Sequence, residues 1–162
     1  MTGFRTEPRP SDVAAVRSLV ATTGVFRDSE VAIAAELVEE ALARGADASG
    51  YRFLLADDPS GCLLGYACYG PIAGTVHSFD LYWIAVDPAR QRRGLGRRLM
   101  AGVEAAVCAA GGRRLYTDTS TSEAYAPTRA FYLRCGHHLA AELPDFYAPG
   151  DGKAILCKVL VP

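Results

Sequence analysis

The sequence predicts an α/β (α+β) fold, in which helices accompany a mixed β-sheet. Apolar residues recur with helical spacing in some segments and as continuous or alternating runs in others, in the order β-α-α-β-β-β-α-β-α-β-β. With 162 residues, 50% of them hydrophobic, the chain is long enough to bury a substantial core. No internal repeat or long linker divides the sequence, so we expect residues 1–162 to form a single domain.

The first half of the chain is predicted to contain a short strand near Phe4, two amphipathic helices and a β-hairpin. The first helix, "PSDVAAVRSLVA", has Ser11 as its expected N-cap. The second, "DSEVAIAAELVEEALARG", is expected to be capped by Asp28 or Ser29 and to end at Gly45. The apolar faces comprise Val13, Val16, Leu19 and Val20 in the first helix and Val31, Ala34, Ala35, Val38 and Leu42 in the second. The apolar runs "YRFLLA" and "CLLGYACYG", joined by the turn residues "DDPSG", predict the hairpin.

The second half is predicted to alternate strands with helices and to close with two strands. The run "VHSFDLYWIAV" is a strand that ends before the Asp-Pro pair, because proline removes a backbone donor. A helix follows from Leu95 to a Gly-Gly pair, then "RRLYTDTS" as a strand and "PTRAFYLRCG" as a helix with Pro127 in its first turn. The closing strands are "HHLAAEL" and "AILCKVLV", on either side of a loop that contains "YAPGDGK".

The bulk composition disfavours several classes of function. A formal net charge of −1 argues against a surface devoted to nucleic acid, because nucleic-acid-binding domains are usually clearly basic. The sequence has neither an apolar run long enough for a membrane span nor an apolar signal segment, so we expect a cytoplasmic protein without a membrane partner. The five cysteines and three histidines lack metal-ligand spacing, which predicts reduced, mostly buried thiols and no metal site.

One short stretch, "DPARQRRGLGRRL", is strongly basic in a chain that is otherwise close to neutral. The predicted elements place it between the end of a strand and the start of a helix. Backbone N–H groups at a helix start lack partners, and the macrodipole adds about half a positive charge there. Gly94 and Gly96 permit close approach to the main chain, and the arginines supply donors and charge. The stretch therefore predicts binding of a pyrophosphate group.

Three phosphate-binding motifs can be compared with this stretch. A Walker A loop requires GK[ST], which is absent, and a dinucleotide-binding fingerprint requires a third glycine where Leu99 stands. The third motif is [QR]-x-x-G-x-[GA], the coenzyme A loop of the GNAT superfamily of acyl-CoA-dependent N-acyltransferases. The sequence resembles it at Gln91, Arg92, Arg93, Gly94, Leu95 and Gly96. A glycine turn beside a solvated arginine face is the remaining interpretation.

A second segment, "TRAFYLRCGHHL", supports the same resemblance through Ala130, Phe131, Tyr132 and Gly136. It departs from the family at His137, which replaces the usual aromatic residue, and Pro127 stands where the family often has an asparagine. The order of elements agrees with the family over nearly the whole chain. The resemblance implies a single-domain, mostly antiparallel central sheet flanked by helices, with a splayed strand pair at the acyl-CoA site.

The resemblance also assigns cofactor-binding residues. The strand before the loop would bond the pantetheine arm through backbone groups of Trp83, Ile84, Ala85 and Val86, and the Ile84 N–H is the best-placed oxyanion donor. The complete set that the resemblance gives for acetyl-CoA comprises Ile84, Ala85, Val86, Gln91, Arg92, Arg93, Gly94, Leu95, Gly96, Arg97, Thr128 and Phe131, the last through packing.

Two side chains are candidates for proton transfer. Asp80 lies where many family members place a basic glutamate, and its shorter side chain favours a bridging water. Its alternative role is that of a strand-end carboxylate paired with an arginine. Tyr132 matches the usual general acid, which protonates the departing thiolate; its alternative role is a half-buried core residue.

The function that the resemblance implies is transfer of an acetyl group from acetyl-CoA, as cosubstrate, to a primary amine of a small molecule or of a protein or peptide. On the acceptor side, Phe26, Phe146 and Tyr147 are candidates for an aromatic wall, and Asp145 or Asp151 for attracting a cationic amine; a tight turn with exposed aromatics is the alternative. The competing functions are a non-catalytic acyl-CoA-binding module and a nucleic-acid binder that uses the arginines. A homodimer is left open.

Overall fold

A computed structural model of the protein describes residues 3–160. Its elements follow the predicted order, which is therefore confirmed. The strands are β1 (Gly3–Arg5), β2 (Arg52–Asp57), β3 (Leu63–Pro71), β4 (Ser78–Val86), β5 (Arg114–Ser120), β6 (His138–Ala148) and β7 (Asp151–Val159). The helices are α1 (Asp12–Thr22), α2 (Asp28–Ser49), α3 (Leu95–Ala109) and α4 (Ala126–Arg134), and short 3-10 turns span Pro88–Arg90 and Glu123–Tyr125.

The seven strands form a mixed sheet in the order β1-β2-β3-β4-β5-β7-β6. Strands β4 and β5 run parallel, whereas β1–β2, β2–β3, β5–β7 and β6–β7 pair antiparallel. This confirms the mixed, mostly antiparallel sheet. Among the described residues, the β4–β5 ladder ends at the pair Asp80↔Tyr116, although β5 continues to Ser120. Beyond that pair, the backbone of β5 pairs on its β7 side only.

The chain divides into two compact units, which we describe separately. The first unit contains residues 3–70 and 83–103, and the second contains residues 71–82 and 104–160. None of the helices within residues 3–160 combines the length and apolar character that a membrane crossing requires.

In the first unit, the buried faces of α1 and α2 pack against β2 and β3, with Val16, Val38, Phe53 and Tyr66 in the core. A buried ion pair fixes the start of α1. Arg5 donates from both terminal nitrogens to the Asp12 carboxylate at 2.7 Å, and from Nε to Asp57 at 2.6 Å. Asp12 is only 3% exposed, so Arg5 compensates a charge that burial alone would disfavour.

In the second unit, β7 pairs with β5 on one side and with the edge strand β6 on the other. Lys158 of β7 holds the end of α4, because its Nζ donates to both carboxylate oxygens of Glu104 and to the Cys135 carbonyl, at 2.7 to 2.8 Å. Gly136 follows with φ +89°, and a Cβ there would lie 3.3 Å from Lys158 Cε. The glycine of the late sequence segment is thus required by its backbone conformation.

The predicted N-cap position is confirmed for α1, where Ser11 precedes the helix, and is wrong for α2. Ser11 has helical φ and ψ and makes no side-chain cap bond. For α2, the N-cap is Arg27 rather than Asp28 or Ser29, and its backbone N–H donates to Glu30 at 2.8 Å. Glu30 is the third residue of the helix, and its carboxylate reaches back to accept from the backbone N–H of the N-cap residue, as in a capping box.

The prediction that Gly45 ends α2 is also corrected. Gly45 has φ 78° and ψ 164°, which kinks the helix, but helical geometry resumes until Gly50 ends it in the left-handed region. Leu42, predicted on the buried face, is 38% exposed, and Ala41 is buried in its place.

The last hairpin is longer than its sequence predicts. Strands β6 and β7 include most of the expected loop, and only residues 149–150 turn between them. The β6–β7 ladder is irregular between Leu143 and Ala148, and Asp145 has φ 53°. The polar residues that suggested a loop therefore form a bulge within β6. Val161, which the predicted last strand included, lies outside the described residues.

Candidate functional site

The basic stretch forms a loop, residues 87–94, that is tied back to the strand before it; we call it the arginine loop. The backbone N–H of Asp87 donates to the Leu64 carbonyl at 2.9 Å, which holds the end of β4 beside β3. The Asp87 carboxylate accepts from the Ala89 N–H at 2.9 Å and caps the following 3-10 turn. Gln91 Nε2 donates to the Val86 carbonyl at 3.3 Å. The path of the loop is therefore set by one bond to β3, one to β4 and one within the loop itself.

The arginine loop leads directly into α3, whose first backbone bond runs from the Arg98 N–H to the Gly94 carbonyl at 3.0 Å. The N–H groups of Leu95, Gly96 and Arg97 precede that bond and belong to the helix start, where amides have no intrahelical acceptor. Gly94 has φ +80°, and a Cβ built there meets no heavy atom within 4 Å. The helix start thus offers backbone donors beside open space.

The five arginines of the stretch, Arg90, Arg92, Arg93, Arg97 and Arg98, are all exposed. Within residues 3–160, none of them makes an ion pair with a carboxylate within 4.0 Å; the ion pairs use other basic residues. Arg98 lies over the Phe4 ring, 4.8 Å from its centroid. Exposed guanidinium groups beside a helix N-terminus suit a doubly charged anion, and the pyrophosphate of coenzyme A has that charge and size.

The strand that precedes the arginine loop is held by packing. Ile84 and Val86 lie against a buried cluster that includes Leu64, Leu95 and Leu99, so their side chains serve the core. Gly65 of β3 brings the strands together, because a Cβ there would lie 3.0 Å from the Ala85 carbonyl oxygen. Sequence reasoning did not single out Gly65.

In the second unit, Asp80 occupies the third position of β4 and is paired in register with Tyr116 of β5. Side chains alternate along a strand, so Asp80, Tyr116 and Asp118 lie on one face of the sheet. Lys153, which is in register with Ser120, lies on that face too, and its Nζ is 2.5 Å from Asp118 Oδ2. We call Asp80, Asp118 and Lys153 the carboxylate–lysine cluster.

Burial raises the pKa of Asp80 above its usual value, the negative charge of Asp118 raises it further, and Lys153 opposes both. The pKa of Lys153 is itself raised, chiefly by its hydrogen bond to Asp118. Among the described residues, no arginine lies within 4.0 Å of Asp80, and the cation that acts on it is Lys153. The half-buried carboxylate of Asp80 is therefore more basic than a free one.

Tyr132 lies in α4 and is 6% exposed. Burial raises the pKa of its phenol, and a hydrogen bond with Thr117 opposes that shift. Thr117 also donates to the Leu81 carbonyl at 3.4 Å. Because Thr117 alternates with Tyr116 and Asp118, Tyr132 and Asp80 approach β5 from opposite faces.

His137, the departure from the family pattern, packs beside Tyr132 with ring centroids 5.7 Å apart. It is 4% exposed, and among residues 3–160 neither ring nitrogen has a partner in good hydrogen-bond geometry, although the Tyr132 backbone acts weakly on the imidazole. Burial, reinforced by the charge of Lys158, lowers its pKa to about 4.

The first turn of α4 carries Thr128, and Phe131 follows one turn later; both are partly buried. Phe131 stacks at a tilt on Tyr132, with centroids 5.5 Å apart, in agreement with a packing role. Arg129, which sequence reasoning missed, donates to the carbonyls of Ser120 and Ser122 at 2.7 and 2.8 Å. It fixes the connection between β5 and α4.

The residues proposed for the acceptor side have definite neighbours. In the first unit, Phe26 packs on Trp83 with centroids 4.8 Å apart. In the second unit, Phe146 meets Tyr147 edge to face at 5.0 Å, and Lys153 lies 4.8 Å from the Phe146 centroid.

The two carboxylates predicted to attract an amine are engaged in the hairpin. Asp145 accepts from the Gly150 N–H at 2.7 Å, and Asp151 accepts a bond from the Ser120 hydroxyl. Their charge stabilises the turn and the end of β5.

Residues 3–160 contain no group of three or more His, Cys, Asp or Glu side chains arranged to hold a metal ion. The five cysteines are free thiols; Cys68 and Cys157 are buried and Cys62 is exposed.

The comparisons with known proteins agree with this geometry. The acetyltransferase (GNAT) family model matches residues 20–137. A crystal structure of a GNAT-family protein from Desulfovibrio desulfuricans is 44% identical, with a TM-score of 0.94, over 99% of this chain and 100% of that one. The chain therefore belongs to the acetyltransferase (GNAT) family.

Two more distant structures show the same fold. An aminoglycoside 6'-N-acetyltransferase complexed with coenzyme A is 19% identical, with a TM-score of 0.77, over 100% of this chain and 98% of that one. The ribosomal-protein-S18-alanine N-acetyltransferase from Escherichia coli is also 19% identical, with a TM-score of 0.77, over 100% and 96%. No curated protein sequence matches the chain.

Proposed function

We propose that the protein transfers the acetyl group of acetyl-CoA to the nitrogen of a primary amine. The observation that carries this proposal is the arginine loop: exposed guanidinium groups without carboxylate partners, beside free amides at the start of α3. Residues Gln91, Arg92, Arg93, Gly94, Leu95, Gly96 and Arg97 would hold the pyrophosphate. Residues 84–86 would bond the pantetheine arm through their backbone, and Thr128 and Phe131 would contact it. Bound acetyl-CoA supplies the thioester carbonyl at which the amide bond forms.

Asp80 is proposed to accept the proton of the incoming ammonium group. Alkyl amines have pKa values near 10.4, so they are protonated at neutral pH and need a base. The raised pKa of Asp80 supports this role, because a more basic carboxylate accepts a proton more readily. The Ile84 N–H is proposed to stabilise negative charge on the carbonyl oxygen.

Tyr132 is proposed to donate its phenolic proton to the departing thiolate. Its raised pKa keeps it protonated at neutral pH, so the proton is present when it is needed. Asp80 and Tyr132 would act on different atoms, since Asp80 would take a proton from the amine nitrogen and Tyr132 would give one to the sulfur.

Coenzyme A binding tests the arginine loop. Affinity measured by calorimetry should fall steeply between about 50 mM and about 500 mM salt, because exposed charges are screened. Replacing Arg92 and Arg93 together by glutamine should weaken binding at least about tenfold, since each charge-assisted bond contributes roughly 1.5–3 kcal/mol. The matched control is Arg44→Gln, whose side chain bonds Glu40 on α2 and should leave affinity unchanged. Equal loss in both variants would contradict the proposal.

Turnover tests the chemistry. A panel of amines and peptides is incubated with acetyl-CoA, and release of free thiol is followed. On an accepted amine, Tyr132→Phe should reduce turnover by about 10²–10⁴-fold with coenzyme A affinity retained. Tyr66→Phe is the control, because Tyr66 is a buried tyrosine whose hydroxyl has no partner. Binding without turnover on any amine by the wild type would establish instead the non-catalytic acyl-CoA-binding module.

A further inference from the structure

The carboxylate–lysine cluster joins three strands on one face of the sheet. Asp80 comes from β4, Asp118 from β5 and Lys153 from β7. Register fixes this arrangement: Asp80 pairs with Tyr116, two residues before Asp118, and Lys153 pairs with Ser120, two residues after it. Asp118 therefore lies between Asp80 and Lys153 on that face.

Lys153 is held in place from two sides. Its Nζ is 2.5 Å from Asp118 Oδ2 and 4.8 Å from the centroid of Phe146. Its side chain is 20% exposed, whereas that of Asp118 is 40% exposed. A half-buried lysine over an aromatic face is a fixed charge rather than a mobile surface group.

The groups that face the cluster are few. Tyr116 of β5 is the register partner of Asp80 and shares a hydrogen bond with Cys157 of β7, and Tyr147 of β6 acts on Lys153. The phenol of Tyr116 is uncharged at neutral pH, because burial raises its pKa above the ordinary value of 10. The charges that act on Asp80 are thus those of Asp118 and Lys153.

We propose that Lys153 is a positioning residue for the reaction: by holding Asp118 in an ion pair, it keeps Asp80 ionised and able to accept the proton of the incoming ammonium group. Two carboxylates on one face disfavour each other's charge, and a cation paired with one of them removes most of that repulsion. The inference rests on the proposed function for the use of the proton. The electrostatic effect of Asp118 and Lys153 on Asp80 depends only on the folded structure, so it can be measured without substrate.

The coupling is measured directly by carbon-13 NMR of the aspartate carboxyl groups as a function of pH, in the protein without acetyl-CoA or amine. The Asp80 signal is assigned by its loss in Asp80→Asn. In Lys153→Met, which keeps the chain length but removes the charge, the Asp80 midpoint should rise by about one pH unit. Lys153→Arg should restore the wild-type midpoint, because it restores the charge.

A second set of variants keeps the inference testable if Lys153→Met does not fold. Asp118→Asn should lower the Asp80 midpoint, since it removes the repulsion and leaves Lys153. The double variant Lys153→Met/Asp118→Asn should return close to the wild-type value. An Asp80 midpoint that moves in neither single variant overturns the inference, as does a shift that Lys153→Arg fails to reverse.

Kinetics separates this inference from the proposed function. On an amine that the wild type accepts, the acid limb of kcat/KM should move to higher pH in Lys153→Met, with little change in KM; a merely structural lysine would leave the limb in place. If the wild type acetylates no amine, the proposed function fails, but the expected changes in the Asp80 midpoint are still observed by NMR. If Asp80→Asn loses activity but Lys153→Met moves neither the limb nor the midpoint, the inference alone fails.

Discussion

Replacing His137 by phenylalanine is expected to stabilise the protein, and to do so more strongly in mild acid than at neutral pH. The imidazole is 4% exposed, and within residues 3–160 neither nitrogen has a partner in good hydrogen-bond geometry. A buried polar group without a partner costs about 1–3 kcal/mol, and phenylalanine of similar shape has no such group. Allowing for the tighter fit of the larger ring, we expect a gain of about 1–2 kcal/mol at pH 7.

The pH dependence follows from the lowered pKa of His137. Above its ordinary value of 6.5, the imidazole is neutral in both the folded and the unfolded chain. As the pH falls below 6.5, His137 binds a proton in the unfolded chain, but in the folded chain it does so only near pH 4. The free energy of unfolding therefore decreases between pH 6.5 and about pH 4. At 1.36 kcal/mol per pH unit, the upper bound is about 3.4 kcal/mol. Screening around the partly exposed Lys158 reduces the expected loss to about 2 kcal/mol.

The assay is urea unfolding of the wild type and His137→Phe between pH 7 and about pH 4.5, followed by tryptophan fluorescence and circular dichroism. The difference in unfolding free energy should widen as the pH falls, and each kcal/mol should move the melting temperature by about 2–4 °C. His138→Phe is the matched control, because His138 is exposed at the start of β6; its effect should stay within about 0.5 kcal/mol. A variant less stable than the wild type at pH 7, with no widening in acid, would refute the reasoning and point to a bound water or ion on the imidazole.

Three further substitutions test the packing. Arg5→Ala should destabilise the fold by about 3–5 kcal/mol in urea unfolding, because it leaves the buried Asp12 carboxylate without its cation. Arg44→Ala, which removes only an exposed pair within α2, should cost no more than about 0.5 kcal/mol, and equal costs would contradict this account. Tyr66→Phe should be neutral or stabilising by up to about 1 kcal/mol, since the hydroxyl has no partner; a clear loss of stability would reveal one. Gly152→Ala should lower the melting temperature, because its Cβ would lie 2.7 Å from a carbonyl oxygen of β6, and an unchanged value would show that the hairpin can shift.

The order of elements could be predicted from the sequence because it depends on the periodicity of apolar residues, which packing preserves. The N-cap position of α1, Ser11, could be predicted too, but that of α2 could not, because capping depends on which polar group reaches the first turn. At α2, the glutamate at position 30 reaches back to the N–H of Arg27, so the residues with the strongest capping preference, Asp28 and Ser29, lie inside the helix. The bulge at Asp145 likewise lets a strand pass through residues that favour a loop.

The two parts of the candidate site differ in how far the sequence reveals them. The arginine loop could be predicted because its donors and charges are contiguous and its geometry is local. Asp118 and Lys153 could not be connected with Asp80, because they lie on separate strands and only the register of the sheet brings them to one face. The predicted strand "RLYTDTS" was the available signal, since the two-residue period of a strand places Tyr116 and Asp118 on one face.

Burial raises the pKa of both proposed proton-transfer groups, Asp80 and Tyr132, although one is proposed as a base and the other as an acid. Desolvation disfavours the charged form of any group, so it raises the pKa of both the Asp80 carboxyl and the Tyr132 phenol. For the carboxylate this means greater basicity, and for the phenol it means that the proton is retained at neutral pH. Each group also has a partner that limits the shift. Lys153 lowers the pKa of Asp80, and the hydrogen bond with Thr117 lowers that of Tyr132. A carboxylate left wholly unpaired in this place would be protonated too readily to act as a base, and a phenol left wholly unpaired would hold its proton too tightly to act as an acid.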